Sequence, residues 1–309
     1  MPDSPDDAAT VPGDEAWSHE FVETNGVRLH AVTAGPEDGD LAVLLHGFPE
    51  FWYSWKHQIP ALAEAGYRVV APDMRGYNRS EKPPGVDAYH VDELVSDVVG
   101  LVRAFDRESA CVVGHDWGGL VAWYAAIQRP SVVDRLAVLN APHPARYEEV
   151  ATRSPRQLLK SWYVAYFQLP WLPEFGFRWN DYAILDDVFR ESTVRPDAFS
   201  EADVERYRAA LSRPGALTAA INYYRAMGRA TLKRRLTGGE LDGRVETPTL
   251  LVWGEQDFAL DRSLTDGLER WVPDVRVDRL PDASHWVQMD APERVTDAVL
   301  SHLGRGYAR

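Results

Sequence analysis

The chain has 309 residues, and 45% of them are hydrophobic, a content typical of a globular protein with a large buried core. Its 33 Lys and Arg residues stand against 47 Asp and Glu residues, and the net charge of −14 without a basic stripe argues against nucleic acid and membrane partners. One cysteine excludes an intrachain disulfide. No apolar run reaches transmembrane length or forms a secretory leader, so we expect a cytoplasmic protein.

The order of apolar runs along the chain predicts an α/β fold. An Asn-Gly pair at positions 25 and 26 favours a tight hairpin between strands at His19–Glu23 and Val27–Thr33. Six further apolar runs predict buried strands: Leu41–Leu45, Tyr67–Ala71, Cys111–Val113, Val133–Leu139, Thr249–Trp253 and Val275–Leu280. Helical periodicity predicts three helices: Val91–Phe105, Leu120–Gln128 and Pro292–Leu303. Alternating strands and helices are typical of a mostly parallel, doubly wound sheet, whose functional residues lie at the carboxyl ends of strands.

The composition divides the chain into three regions. Residues 1–16 are rich in Pro, Asp, Ala and Gly and predict a disordered acidic tail. Between residues 144 and 241 strand signals stop, helical patterns dominate, and aromatic residues cluster: Trp162, Tyr163, Tyr166, Phe167, Trp171, Phe175, Phe177 and Trp179. We therefore predict a helical lid at residues 144–241, inserted into an α/β core formed by residues 17–143 and 242–309.

The most informative stretch is Ala110–Leu120, where an apolar run ends abruptly at Gly114 and a helical pattern follows. Glycine two residues before and after one polar residue is the form of a nucleophile elbow, but the central residue is Asp116 instead of serine. A carboxylate that attacks an sp³ carbon forms an ester, which water can cleave, whereas a serine would form a stable ether. Asp116 therefore points to epoxides or alkyl halides as substrates. The alternative is a surface turn that happens to carry an aspartate.

Two further residues complete a catalytic triad with Asp116 in the expected chain order. Asp257 and His285 each follow a predicted strand, and the order nucleophile, acid, histidine is that of α/β-hydrolases. In this arrangement Asp257 fixes the tautomer of His285, and His285, with an ordinary pKa of about 6.5, takes a proton from water. His46 and His143 also follow predicted strands, and for both we favour a role in ordering a loop over a catalytic role.

An oxyanion hole is predicted from two backbone N–H groups. The residue after the nucleophile supplies the first of them, which is Trp117. The loop that follows the strand Leu41–Leu45 supplies the second, which we assign to Phe48. Together they would stabilise the negative charge that develops when water attacks the ester.

Four parts of the chain resemble a known family: His46–Glu50 with Trp52–Trp55, Gly114–Gly119, Glu255–Leu260 and Ser284–Asp290. With them the chain resembles the α/β-hydrolase-fold epoxide hydrolases, of the soluble type found in bacteria, plants and the C-terminal domain of the mammalian enzyme. The resemblance implies two lid tyrosines that bind the epoxide oxygen, at Tyr163 and Tyr224. Tyr166 and Tyr223 are the neighbours that a small alignment slip would substitute. A cis peptide before Pro49 is also implied.

Two alternatives stay open. A haloalkane dehalogenase shares the aspartate and the following Trp117, but the dehalogenase pattern that looks closest has Asn at the position of Phe48. In that case a lid tryptophan would be the halide donor: Trp162, Trp171 or Trp179. Other proteins of this fold are ligand receptors, and a receptor would have no need for the full catalytic set.

The favoured hypothesis is hydrolysis of an epoxide to a vicinal diol. Asp116 attacks an epoxide carbon while Tyr163 and Tyr224 bind the oxygen, which gives a hydroxyalkyl ester. Water activated by His285 and Asp257 then cleaves this ester.

This mechanism requires no metal or organic cofactor, and the aromatic lid favours an apolar epoxide as the small-molecule partner. The sequence does not distinguish a monomer from a homodimer. It assigns no role to Glu50 or His115.

Overall fold

A computed structural model describes residues 17–239, 241 and 243–304. The tail predicted for residues 1–16 lies outside the described residues. The strands are β1 (Ser18–Thr24), β2 (Val27–Ala34), β3 (Asp40–Leu45), β4 (Tyr67–Pro72), β5 (Ala110–His115), β6 (Val133–Leu139), β7 (Thr249–Gly254) and β8 (Val275–Leu280). They form one sheet in the order β1-β2-β4-β3-β5-β6-β7-β8.

The sheet is antiparallel only at one edge. β1 pairs antiparallel with β2, and β2 pairs antiparallel with β4, whereas every later neighbouring pair is parallel. The predicted hairpin is confirmed: Thr24 lies opposite Val27, and the two turn residues, Asn25 and Gly26, have φ angles of 45° and 72°. Both angles lie in the left-handed region that such two-residue turns require.

The helices are α1 (Gln58–Glu64), α2 (Val91–Ala104), α3 (Asp116–Gln128), α4 (Pro144–Arg153), α5 (Pro155–Lys160), α6 (Trp162–Tyr166), α7 (Leu172–Arg178), α8 (Ile184–Asp186), α9 (Glu201–Ser212), α10 (Ala216–Thr237), α11 (Val287–Asp290) and α12 (Pro292–Leu303). Helices α4 to α10 lie between β6 and β7, and the described residues there include no strand. The predicted α/β class with a helical insertion is confirmed.

Burial explains why the central strands are almost wholly apolar. Every residue of β5 and β7 is buried, because helices cover both faces of a parallel sheet. In β8, at the far edge, only Leu280 is buried, and polar residues alternate with valines. No helix within the described residues has both the length and the apolar character that a bilayer crossing needs.

Two helices differ from the expectation. α3 begins at Asp116 and not at Leu120. Its first turn contains Gly118 and Gly119, and because glycine is a poor helix former, the sequence gives no helical signal there. α1 was not predicted, since its seven residues are too short to establish helical periodicity.

Candidate active site

The nucleophile elbow joins β5 to α3 at Asp116, whose φ angle is 49°. The turn leaves no room for side chains on either flank. A Cβ atom on Gly114 would lie 2.4 Å from the carbonyl oxygen of Gly118, and one on Gly118 would lie 2.1 Å from that of Leu45. Both glycines are therefore required for β3, β5 and α3 to meet, and they leave the Asp116 side chain at the carboxyl end of the sheet.

The structure brings Asp116, His285 and Asp257 together. Nδ1 of His285 lies 2.7 Å from Oδ2 of Asp257. Its Nε2 lies 3.7 Å from Oδ2 of Asp116, which is longer than a hydrogen bond. The gap between these two atoms lets Oδ2 of Asp116 react with a substrate carbon and lets Nε2 of His285 contact a water molecule beside the resulting ester.

Asp257 is held by a residue that the sequence did not single out. Nδ2 of Asn140 donates to Oδ2 of Asp257 at 2.7 Å, and the backbone N–H groups of Ala259 and Leu260 donate to Oδ1 at 2.7 and 2.8 Å. Asn140 follows β6 with a φ of 39°, and its Oδ1 accepts the N–H of Gly254 at 2.8 Å. The position of Asn140 at a strand end was the only signal in the sequence.

The two predicted N–H donors point at the nucleophile. The N–H of Phe48 donates to Oδ1 of Asp116 at 2.8 Å, and the adjacent N–H of Trp117 helps to lower the pKa of this carboxyl group. The peptide between Phe48 and Pro49 is cis, as the resemblance implies. A Cβ atom on Gly47 would lie 2.5 Å from Cβ of Asp116, so the loop reaches the nucleophile only with glycine there.

A buried ion pair links the Phe48 loop to the histidine. Oε2 of Glu50 lies 2.7 Å from Nδ1 of His115 and accepts the N–H of Gly47 at 2.9 Å. Nε2 of His115 lies 2.9 Å from the carbonyl oxygen of His285. Both partners of the His115 ring are acceptors, so both ring nitrogens donate and the resulting cation balances the charge of Glu50. Gln288 donates to the other oxygen of Glu50 at 3.0 Å.

The charges of the three catalytic candidates depend on one another. Burial alone would lower the pKa of His285, but Asp257 first and then Asp116 raise it to about 9, above the ordinary value expected from the sequence. Burial raises the pKa of Asp116, and His285 opposes that rise. Burial also favours the neutral form of Asp257, yet His285 and Asn140 keep its pKa below the ordinary range. At neutral pH the free protein therefore holds a His285 cation beside the Asp257 carboxylate.

A cavity of about 180 Å³ opens beside Asp116, and both predicted lid tyrosines line it. Tyr163 lies on α6 and Tyr224 on α10, and their ring centroids are 5.9 Å apart. Burial raises the pKa of both phenols well above the ordinary value, and the Asp116 charge adds to this shift, so both stay protonated. Their neighbours point elsewhere: the hydroxyl of Tyr166 donates to the carbonyl of Leu172, and that of Tyr223 to the carbonyl of Arg75.

Three comparisons with known proteins agree with this geometry. The α/β-hydrolase-fold family model matches residues 42–292. The AB hydrolase superfamily protein YfhM of Bacillus subtilis is 47% identical, over 92% of this chain and 97% of that protein. Human epoxide hydrolase 4 is 38% identical, over 91% of this chain and 77% of its own length. The crystal structure of Bacillus megaterium epoxide hydrolase with an inhibitor has a TM-score of 0.84 and 30% identity, and covers 92% of this chain and 99% of its own. The chain belongs to the epoxide hydrolases of the α/β-hydrolase family.

The other residues considered from the sequence, two histidines and three lid tryptophans, do not line the cavity of this epoxide hydrolase family member. Nε2 of His46 accepts the N–H of Met74 at 2.9 Å, which orders the loop. Nε2 of His143 lies 2.8 Å from the carbonyl oxygen of Gly243. The three lid tryptophans suggested as halide donors are each at least 65% exposed, and none lines the cavity: Trp162, Trp171 and Trp179. None of these three tryptophans is therefore placed to donate a hydrogen bond to a halide in the cavity, as the dehalogenase alternative requires.

The proximity of two carboxylates predicts how the pKa of His285 responds to substitution. We expect a value of about 9 in the wild-type protein. Asp257→Asn removes the negative charge that contributes most to raising the pKa of His285. Burial, which lowers that pKa, is then less strongly opposed, so the pKa falls. Asp116→Asn lowers it by a smaller amount. Histidine ¹⁵N NMR titration measures these values, with mass spectrometry to confirm that the amide at position 116 survives. An unchanged pKa in both variants would contradict the assignment.

The Glu50–His115 pair predicts a loss of stability when its charge balance is removed. Glu50→Gln leaves the buried His115 cation unpaired and weakens the acceptor for Gly47, so the free energy of unfolding should fall by about 3–5 kcal/mol. Urea unfolding measures the change. Glu64→Gln is the matched control, because Glu64 is exposed and should leave the unfolding midpoint unchanged. Equal midpoints for the two variants would show that the pair contributes nothing.

Proposed function

We propose that the protein hydrolyses an apolar epoxide to a vicinal diol through a covalent ester on Asp116. One observation carries the proposal: Asp116 and two phenols that remain protonated line the same cavity. An epoxide needs both, because ring opening places negative charge on oxygen while carbon receives the nucleophile. The relatives named as epoxide hydrolases support this activity.

In the first step, Asp116 attacks an epoxide carbon through Oδ2, and the carbon–oxygen bond of the ring breaks. Oδ1 is held by the N–H of Phe48 and keeps the carboxylate in place. Tyr163 and Tyr224 hydrogen-bond the epoxide oxygen, and one of them transfers its proton to the departing alkoxide. That phenolate is then protonated again from water. General-acid assistance of this kind contributes roughly 10²–10⁴-fold to the rate.

In the second step, His285 takes a proton from water, and the hydroxide attacks the ester carbonyl carbon of Asp116. Alkylation prepares this step, because the neutral ester no longer adds negative charge beside His285. The pKa of the imidazolium therefore falls and its proton passes to solvent, which offsets the proton taken up by the phenolate. The N–H groups of Phe48 and Trp117 bind the oxyanion. When the ester bond breaks, the leaving alkoxide takes the proton from His285 and the diol departs.

The helical insertion supplies the part of the site that selects epoxides. Both tyrosines lie within residues 144–241, which we propose to be the lid, whereas the core of residues 17–143 and 242–309 supplies the nucleophile, acid and histidine. The wall beside Tyr163 includes Val164, Met227 and Leu260, which favours an apolar substrate. A covered site also protects the ester from side reactions with bulk water.

A single turnover in ¹⁸O-water tests the ester route. Enzyme in excess over styrene oxide should release unlabelled diol, because the oxygen added to carbon comes from Asp116, and the label should appear in the Asp116 peptide. Mass spectrometry measures both products. The matched control is Asp116→Asn, which should form no diol on this time scale. Label found directly in the diol would mean that water attacks the epoxide and that Asp116 is not the nucleophile.

The two phenols are tested against their sequence neighbours. Tyr163→Phe and Tyr224→Phe each remove one donor to the epoxide oxygen, and each should lower the alkylation rate by about 10²-fold. Tyr166→Phe and Tyr223→Phe remove hydroxyls that bond carbonyl groups outside the cavity and should leave that rate nearly unchanged. Stopped-flow tryptophan fluorescence measures alkylation in all four variants. A larger loss in the neighbours would reverse the assignment.

A further inference from the structure

The active-site cavity extends beyond the two phenols along one face of α10. Five of its lining residues come from this helix: Tyr224, Met227, Thr231, Arg234 and Arg235. Their spacing of three and four residues places them on one side of the helix. A helix rises about 1.5 Å per residue, so Arg234 and Arg235 lie roughly 15 Å along the axis from Tyr224. The cavity therefore has a reacting end and a remote end.

The remote end of the cavity is charged. Arg234 and Arg235 line it together with Glu148 of α4. The guanidinium of Arg234 pairs with Glu148, and the Arg234 side chain is only 21% exposed. Arg235 is exposed, and none of the described carboxylates forms an ion pair with it. Among the described residues, two cations thus line this end of the cavity against one anion.

Most of the other residues that line the cavity are apolar. They include Leu120, Pro144, Ala151, Val164 and Leu241. Such a wall gives a hydrocarbon chain a favourable path from Asp116 toward the arginines. A charged group on that chain would be costly to bury against the wall, but it reaches partly solvated arginines at the remote end. A molecule that is apolar in the middle and anionic at one end matches this distribution.

We propose that Arg234 and Arg235 bind an anionic group, a carboxylate, at the end of the substrate remote from the epoxide. The proposal rests on the proposed epoxide hydrolysis and names its substrate class: amphiphilic epoxides whose chain spans the cavity. Arginine suits this role because its planar guanidinium pairs with both oxygens of a carboxylate. Glu148 orients Arg234 and offsets part of the positive charge, so Glu148 and the substrate carboxylate compete for the same cation.

The test compares one epoxide as an acid and as its methyl ester. The epoxide of undec-10-enoic acid carries both groups that the proposal needs, and its methyl ester keeps the chain but lacks the charge. We expect the wild-type enzyme to have the higher kcat/KM for the acid. Arg235→Gln should lower kcat/KM for the acid by about tenfold, which corresponds to about 1.4 kcal/mol, through KM and not kcat. It should leave the methyl ester unchanged.

Two further variants separate contact from general charge. Lys233→Gln removes a neighbouring exposed cation that does not line the cavity, and it should change neither substrate. Glu148→Gln should release Arg234 from its partner and lower KM for the acid, an increase in affinity that mere damage to the fold would not produce. Added salt should reduce the preference for the acid, since it screens partly exposed charges.

The possible failures are distinguishable. Equal effects of Arg235→Gln on acid and ester, or no preference for the acid in the wild-type enzyme, would overturn the carboxylate site alone. Turnover of styrene oxide without turnover of either long-chain compound would also overturn it. Loss of turnover on styrene oxide and on both long-chain compounds in the folded wild-type protein would instead overturn the proposed epoxide hydrolysis.

Discussion

The active site depends on one backbone constraint, the left-handed conformation of Asp116. An aspartate at a φ of 49° costs of order 1–3 kcal/mol, and surrounding packing must maintain it. Gly114 and Gly118 allow strand and helix to approach, and Gly47 allows the neighbouring loop to reach the carboxylate. Three glycines, one at the end of β5, one at the start of α3 and one in the neighbouring loop, therefore serve a single side chain. The same turn aims the N–H of Trp117 at that side chain, so nucleophile and oxyanion donor are set by one conformation.

Electrostatics connects the two halves of the proposed cycle. Before reaction, Asp257 and Asp116 favour the charged form of His285, which cannot act as a base. Alkylation converts Asp116 into a neutral ester and removes one of these charges. The pKa of the base therefore falls as the nucleophile is used, which favours activation of water after the ester has formed. Glu50 and His115 form a neutral pair beneath this centre, and they connect Gly47 to the backbone of His285 without adding net charge.

The sequence was sufficient where the signal is local. Glycine spacing around Asp116 and the positions of Asp257 and His285 after apolar runs placed these residues correctly beside one another in the fold. It was insufficient where no sequence pattern identifies the partner: Asn140 lies 117 residues from Asp257, and Glu50 lies 65 residues from His115. The pKa of His285 likewise needed the structure, because it depends on burial and on two carboxylates that only folding brings near.

The phase of α10 explains why adjacent tyrosines differ, and it also connects chemistry to substrate selection. Successive residues on a helix are rotated by about 100°, so Tyr224 lines the cavity while Tyr223 donates to the carbonyl of Arg75. Eleven residues bring the helix back to nearly the same direction, which places Arg235 on the face of Tyr224. A rotation of α10 would therefore remove the phenol and the arginine from the cavity together. In the proposed cycle the core forms and breaks the ester, whereas α10 aligns the epoxide oxygen together with Tyr163 of α6 and also contacts the remote end of the substrate.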